Sequence, residues 1–483
     1  MTMKAIKSLS LAGPLALAML YPALAVAEDF SKKLIDKGRY LATASDCVAC
    51  HTNHTGGKPM AGGLPMSSPV GTIMSTNITP SKEFGIGNYS EAQFANAVRK
   101  GVRADGANLY PAMPYVSYSV MTDEDIHALY AFFMQGVEPI DEKAPDTKLP
   151  FPMNIRASML GWNMLFRPNG PLADDPNQSA EWNRGRYLAE GAAHCSTCHT
   201  PRGAFMQEQK SLNLSGGQVG PWFAPDITSD KVHGIGSWTQ EDLVTYLKTG
   251  RLDHRAQAAG SMAEAIGYSF QHLTDADLNA IATYVRSIPS TKAASNTTAT
   301  TRFDHGKAGN DFAGFRGDDY ADGLKGGHAG AQIFAANCAS CHGYNAEGTK
   351  DGYYPSLFQN AATAGDNPNN LIAAILYGVD RHTEDGHVFM PPFGDQVNAI
   401  TTLNNVEVAS LANYILKDYG NAELSVKPED VQTIRNGGPQ SNLVLLARIG
   451  MAAGAIAAIV VVSGIVWWLR RRKRNNGHVT SAS

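Results

Sequence analysis

The chain has 483 residues, 43% of them hydrophobic and 17% charged, a globular composition on a length that suits about three domains. Its formal net charge of -4 conceals a division: two cations before residue 28 and six after residue 447 stand without acids, leaving 32 cations against 44 anions between them. A body so acidic excludes nucleic acid as a partner.

At the N-terminus, Lys4 and Lys7 precede a mostly apolar run and the small-residue triplet Ala25-Val26-Ala27. This reads as a secretory signal over residues 1–27, and Pro14 and Pro22 argue against a membrane anchor there. The first unit, residues 28–140, opens with helical spacing from Asp29 to Ala44 and leads into Cys47-Val48-Ala49-Cys50-His51. A Gly/Pro-rich loop follows, then a helix begun by the capping box Ser90/Gln93, the loop Tyr110-Pro111-Ala112-Met113-Pro114, and a helix capped at Thr122 that runs to Gln135.

After a proline-rich linker (141–176), whose apolar stretch from Ile155 to Phe166 suits a domain joint, residues 177–290 repeat the first unit. Arg186-Tyr187-Leu188-Ala189 matches Arg39-Tyr40-Leu41-Ala42, Asp226-Ile227-Thr228 matches Asn77-Ile78-Thr79, and Gly234-Ile235-Gly236 matches Gly85-Ile86-Gly87. The repeat brings a second motif, Cys195-Ser196-Thr197-Cys198-His199. A linker rich in Ser, Thr, Asn and Gly (291–327) leads to the third unit, 328–420, with Cys338-Ala339-Ser340-Cys341-His342, a leading helix from Ala331 and a closing helix from Val406 to Lys417. A polar linker (421–442) approaches an apolar segment at 443–469 that ends in Trp467-Trp468-Leu469 and is followed by five cations. That is one bilayer-spanning anchor, with the tail 470–483 in the cytoplasm.

Two cysteines three apart place both thiols on one helical turn, where they add to the vinyl groups of a haem while the next histidine reaches the iron. A zinc ribbon needs its cysteine pairs close together, and here they are 148 and 143 residues apart. A thioredoxin-like pair has no use for the histidine. Three matches consume all six cysteines, so the expectation is three covalent c-type haems, held by Cys47, Cys50, Cys195, Cys198, Cys338 and Cys341, with His51, His199 and His342 on the irons.

A sixth ligand sets the role of each haem. A methionine thioether raises the potential and fills the site, leaving electron transfer in place of catalysis. Met113 and Met262 lie 62 and 63 residues beyond their histidines, and Met390 in Phe389-Met390-Pro391 lies 48 beyond His342. Met60, Met66, Met74 and Met121 compete in the first unit, and His382 or His387 offers a bis-histidine alternative in the third. Pro355, Pro201 and Pro69 are candidates for the backbone carbonyl that orients each proximal histidine. No dinucleotide fingerprint, P-loop or zinc-protease motif occurs, so substrate oxidation belongs to another subunit.

With these motifs, the loop Tyr110-Pro111-Ala112-Met113-Pro114-Tyr115 and the terminal anchor, the chain resembles the triheme cytochrome c subunits of bacterial membrane-bound dehydrogenases, which serve alcohol, aldehyde, gluconate, sorbitol and fructose dehydrogenases. Residues 350–357 and 375–381 are most similar to the fructose branch, whose catalytic subunit is a flavoprotein. The resemblance implies an all-α fold of three tandem class I-like cytochrome c domains plus one C-terminal transmembrane helix. It also implies electron delivery from a catalytic dehydrogenase subunit, a flavoprotein or else a quinoprotein or molybdenum enzyme, to ubiquinone, and it leaves room for a small third subunit. A subunit feeding a terminal oxidase and a multihaem peroxidase are the alternatives. Adjacency in sequence to the anchor makes the third haem the expected exit.

Overall fold

The computed structural model describes residues 29–168, 170–253, 255–291, 301, 306–308 and 328–477; the expected signal sequence, most of the 291–327 linker and the end of the tail lie outside the described residues. Each unit is framed by a leading and a closing helix: Lys32–Ala44 with Asp123–Gln135, Ala180–Tyr187 with Asp275–Ser287, and His328–Asn337 with Asn405–Tyr419. The closing helices start where short polar side chains accept orphan N–H groups. Thr122 takes the N–H of Asp125, Thr274 that of Asp277, and Asn404 forms a capping box with Glu407.

The two helices of each pair cross with their backbones in contact, and a glycine permits it. A Cβ on Gly38 would lie 1.9 Å from the Ala128 carbonyl oxygen, on Gly185 1.8 Å from that of Ala280, and on Gly330 2.2 Å from that of Ser410. No side chain fits there, so the same solution recurs in all three units. Each pair closes over its own core, around Leu129 and Phe132 in the first unit, Ile281 and Leu278 in the second, Leu411 and Leu416 in the third.

The second unit has one more residue than the first between its Arg-Tyr-Leu-Ala segment and its first cysteine. The leading helix absorbs the extra residue as a π turn, Leu188–Ala192. In both units the residue before that cysteine is left-handed, Asp46 at φ 52° and His194 at φ 37°.

Among the described residues the strands form four two-stranded antiparallel ribbons, which the helical periodicities do not announce. They leave the fold all-α. Pro65–Ser68 with Gly71–Met74 and Gly217–Val219 with Trp222–Ala224 occupy matching places in the two repeats. Val379–Thr383 pairs with Gly386–Met390 in the third unit.

The segment expected to be a plain linker at 421–442 needs correcting. It contains the helix Pro428–Arg435, whose Val431 and Ile434 are buried in the third core together with Val426. The apolar stretch of the first linker folds as the helix Ser158–Phe166 and does bridge two units: Asn163 accepts from the Tyr115 hydroxyl at 2.8 Å, and Trp162 donates to the Phe205 carbonyl at 2.9 Å. Leu160, Met164 and Leu165 on it stay 60%, 79% and 77% exposed. The C-terminal helix spans Leu443–Gly477, and its stretch Leu443–Arg472 is long and apolar enough to cross a membrane. At its head, Arg448 donates to the Phe151 carbonyl at 3.1 Å.

Candidate haem sites and their relatives

Each Cys-x-x-Cys-His motif closes as a short helical turn. The histidine N–H donates to the carbonyl of the first cysteine, His51 to Cys47 at 3.0 Å, His199 to Cys195 at 3.0 Å and His342 to Cys338 at 2.9 Å. Both cysteines and the histidine therefore emerge from one turn. All six thiols are free, and burial pushes those of Cys47, Cys195 and Cys338 up to about 12. Such thiols are unlike the acidified, reactive thiolate of a redox Cys-x-x-Cys pair.

The histidines carry the more telling geometry. His51 Nδ1 lies 2.7 Å from the Thr76 carbonyl oxygen, His199 Nδ1 2.7 Å from that of Pro225, and His342 Nδ1 2.9 Å from that of Pro355. A carbonyl only accepts, so Nδ1 bears the proton and Nε2 keeps its lone pair. Burial lowers the proton affinity of all three rings, against the carbonyl bond that raises it, and favours the neutral imidazole. A neutral ring with its orientation fixed through Nδ1 is what an Nε2 metal ligand requires.

Pro355 is the carbonyl partner expected in the third unit, whereas Pro69 and Pro201 are not the partners of His51 and His199. Thr76 and Pro225 are, because each immediately precedes the matched Asn77-Ile78-Thr79 or Asp226-Ile227-Thr228 segment. There Asn77 Oδ1 accepts from the Thr79 N–H at 2.9 Å and hydroxyl at 2.7 Å, and Asp226 Oδ1 does the same for Thr228 at 2.8 and 2.6 Å. These Asx turns fix the loop that presents the carbonyl. The repeat itself was the available signal, since the gaps of 25 and 26 residues nearly coincide.

Met113, Met262 and Met390 are partly buried and pack on the first, second and third cores respectively, each core also bearing the first cysteine of its own motif. Met113 sits in the loop before the short helix Tyr115–Tyr118, Met262 in the helix Gly260–Tyr268, and Met390 at the end of its ribbon. Met121 is fully buried and Met60 packs on the same core as Met113. In the third unit the register pairs Val379 with Met390 and His382 with His387. Strand alternation then puts both histidines on the face of the ribbon opposite Met390.

The first two motifs lie side by side. The helix Gly260–Tyr268 of the second unit packs on the turn Cys47–Cys50, and Tyr268 stacks on His54 at 4.8 Å. Their units meet through reciprocal contacts. The Tyr40 hydroxyl donates to Asp277 Oδ2 at 2.6 Å and the Tyr187 hydroxyl to Asp125 Oδ2 at 2.6 Å, and these are matching residues of the repeat. Within each unit a cation completes the carboxylate: Lys37 on Asp125 at 2.6 Å, and Arg184 on Asp277 through two bonds at 2.8 and 2.7 Å.

The third unit joins the second differently. Its Arg381, 2% exposed, donates to the Ala258 carbonyl and to Gln257 Oε1, both at 2.9 Å. Asn370 bonds both the N–H and the carbonyl of Phe223, at 2.9 and 2.8 Å.

A cysteine pair on one turn, a neutral histidine oriented through Nδ1 and a methionine packed on the same core, each on a crossed helix pair, form the donor set that fits covalent haem, and they define tandem modules of the c-type cytochrome class. The comparisons agree. The family described as Cytochrome c matches residues 183–289 and 328–417, and Cytochrome C oxidase, cbb3-type, subunit III matches residues 33–133. The chain is 47% identical over 420 residues to the fructose dehydrogenase cytochrome subunit of Gluconobacter japonicus, covering 86% of each chain. It is 38% identical over 432 residues to the alcohol dehydrogenase (quinone) cytochrome c subunit of Gluconobacter oxydans, covering 85% of this chain and 84% of that one. It is 40% identical over 420 residues to the gluconate 2-dehydrogenase cytochrome c subunit of Pantoea cypripedii, covering 83% and 89%. The chain belongs to the family of cytochrome c subunits of dehydrogenase complexes. It is an electron-transfer subunit and not itself the catalytic enzyme.

Proposed function

We propose that this chain receives electrons from a catalytic, flavin-bearing dehydrogenase subunit that oxidises a sugar, polyol, alcohol or aldehyde, and delivers them to ubiquinone in the membrane. The observation that carries this reading is the thrice-repeated histidine, neutral and oriented through Nδ1, one residue after a cysteine pair on the same turn. Bound c-type haem supplies one-electron redox chemistry at iron. Cys47 and Cys50, Cys195 and Cys198, and Cys338 and Cys341 would hold three haems through thioethers. His51, His199 and His342 would ligate the irons through Nε2, with Met113, Met262 and Met390 as the second protein ligands. The flavin assignment rests on the resemblance of residues 350–357 and 375–381 to the fructose branch, and the 47% identity to a fructose dehydrogenase cytochrome subunit supports that branch; a quinoprotein or molybdenum enzyme is the alternative partner, with room for a small third subunit. The cbb3-type match spans residues 33–133 alone, against relatives that cover most of the chain, and so favours a shared module over a shared oxidase role.

The body stands on the periplasmic side of the bacterial inner membrane, freed of its signal peptide, with Leu443–Arg472 crossing the bilayer and the cationic tail in the cytoplasm. Sequence adjacency suggests the third haem as the exit, but the anchor's head touches Phe151, close in sequence to the exposed apolar helix Ser158–Phe166. Beside that helix a cavity of about 330 Å³ is lined by Trp162, Leu165 and Phe166, by Pro111 and Pro114 flanking Met113, and by Thr197 of the second motif. The cavity, between the first two units, is also lined by Arg202, Gln207, Glu208 and Lys210, and this mix of apolar and polar groups supports quinone reduction there.

Pyridine haemochrome titration of the purified chain tests the premise: three covalently bound haems per chain are expected, and fewer would overturn it. Met113→Ala, Met262→Ala and Met390→Ala should each open one haem to carbon monoxide. Copurification of a flavoprotein, with sugar- or alcohol-dependent reduction of ubiquinone, tests the partner; a copper–haem oxidase in its place would sink that part.

A further inference from the structure

The ribbon Val379–Thr383/Gly386–Met390 has two faces, and only one is used by the reading above. Asp380, His382, His387 and Phe389 share the outer face, since Asp380 pairs with Phe389 and His382 with His387. The imidazoles of His382 and His387 lie flat on each other, centroids 3.9 Å apart and planes 8° apart. Both Nε2 atoms converge on one oxygen, Asp380 Oδ1, at 3.1 and 2.8 Å. All three side chains are open to solvent, and their ligand atoms lie within 4.8 Å of one another. Among the described residues they are the one such group of histidine, cysteine or carboxylate side chains.

Bonds of about 2.0–2.2 Å from a tetrahedral metal to nitrogen or oxygen place the ligand atoms roughly 3.3 Å apart. The oxygen–nitrogen separations are close to that spacing, and the two stacked, exposed rings must splay about their side-chain bonds so that both Nε2 lone pairs turn toward one ion. Imidazole and carboxylate together suit zinc, cupric or nickel ions, and not the hard, oxygen-seeking calcium or magnesium. We propose that Asp380, His382 and His387 form a divalent transition-metal site, with water completing the coordination. Binding displaces the two Nε2 protons to solvent-facing Nδ1 or to water, and no redox step is involved.

The place of the site gives it a use. The ribbon's turn is docked on the second unit, where the Glu384 N–H donates to Gln271 Oε1 at 2.8 Å. The His382 carbonyl oxygen would stand 3.2 Å from a Cβ on Gly267, in the helix that also bears Met262. A metal there pins the two strands together at the joint between the second and third units. The site stands on the hairpin's own geometry and does not depend on the axial role of Met390.

The test uses the detergent-solubilised, haem-bearing chain. One equivalent of Cu²⁺ should give an electron paramagnetic resonance spectrum with coupling to two imidazole nitrogens, and Zn²⁺ should displace it. His382→Ala and His387→Ala should each remove one nitrogen from the pattern and weaken Zn²⁺ binding, by calorimetry, at least about tenfold, the loss typical even of outer partners of metal ligands. Both residues are on the surface, so the haem absorption of the variants should match the parent and report an intact fold. Single-histidine pairs such as His127–Glu91 and His233–Asp366 cannot supply the two-nitrogen pattern. A copper spectrum and a zinc affinity that survive the double substitution would overturn the proposal, as would the lack of any one-equivalent site in the parent.

Discussion

The joint between the first and second units and the joint between the second and third are built on different plans. In the first, matching residues exchange places: Tyr40 reaches Asp277 while Tyr187 reaches Asp125. This is the self-complementary logic of a two-fold dimer, here within one chain. In the second, contacts run both ways but do not match: the third unit inserts Arg381 into the second, while the second lays Trp222 on the third core and offers Gln271 to the Glu384 N–H. The comparison sharpens at one pair of glycines. Over Gly101 of the first unit lies that unit's own Tyr115 ring, 2.7 Å from where a Cβ would be. Over the matching Gly250 of the second unit lies Arg381 of the third, at 2.6 Å. Position by position Tyr115 corresponds to Glu264, which leaves the second unit without a ring to cover the socket; the third unit fills it.

The largest effect should come from a change that ignores the joints. Gly38→Ala, Gly185→Ala or Gly330→Ala forces backbone apart at a helix crossing and should cost about 3 kcal/mol or more in whichever unit it strikes. Guanidinium unfolding followed through haem absorption would measure it, and equal losses in all three units are expected. Gly250→Ala should come next, at roughly 2–3 kcal/mol, because it adds a Cβ at φ +75° and expels Arg381. Combining it with Arg381→Ala should cost less than the two separate losses together, and strict additivity would deny that the glycine exists for the arginine.

Tyr40→Phe and Tyr187→Phe each remove one hydroxyl donor to a largely buried carboxylate and should each cost about 1 kcal/mol in thermal unfolding. Near-equal losses would uphold the two-fold relation; a loss at one site alone would break it. The smallest effect concerns pH. Burial raises the Asp277 carboxyl's proton affinity, but the bonds from Arg184 and Tyr40 outweigh it and hold the group below the usual carboxylate range. A depressed folded value stabilises the protein above the unfolded value near 3.9 and is lost as pH falls through the folded one. The stability difference between the parent and Asp277→Asn should therefore be flat near neutrality and shrink as pH falls below about 4.

Much of this architecture is legible in the residues. The cysteine–histidine motifs, the repeat and the helix caps at Ser90, Thr122 and Thr274 all rest on local chemistry, and local chemistry shows in sequence. The single extra residue before Cys195 is visible in the sequence, but only the structure shows it absorbed as a π turn. What does not show is contact made by backbone or across units. The Thr76 and Pro225 carbonyls share no residue type, so a proline close behind the motif points to the right carbonyl at Pro355 and not at Pro69 or Pro201. Arg381 looks like a surface cation on a strand until another unit closes over it. The helix Pro428–Arg435 reads as polar because only Val431 and Ile434 turn inward.

The tyrosine exchange has a consequence for how the molecule comes apart. The Thr122 N–H, at the start of the first closing helix, donates to the Tyr187 hydroxyl at 3.1 Å, and the Thr274 N–H donates to that of Tyr40 at 3.3 Å. Each helix thus has one terminal amide satisfied only from the other repeat, and neither repeat is complete alone. Residues 29–290 should accordingly melt in one cooperative transition, and a chain severed in the proline-rich stretch between them should lose both halves together. The third module is held by unlike contacts, Arg381 in the second unit and Trp222 on the third core, and should separate from the tyrosine-linked pair only as these are lost.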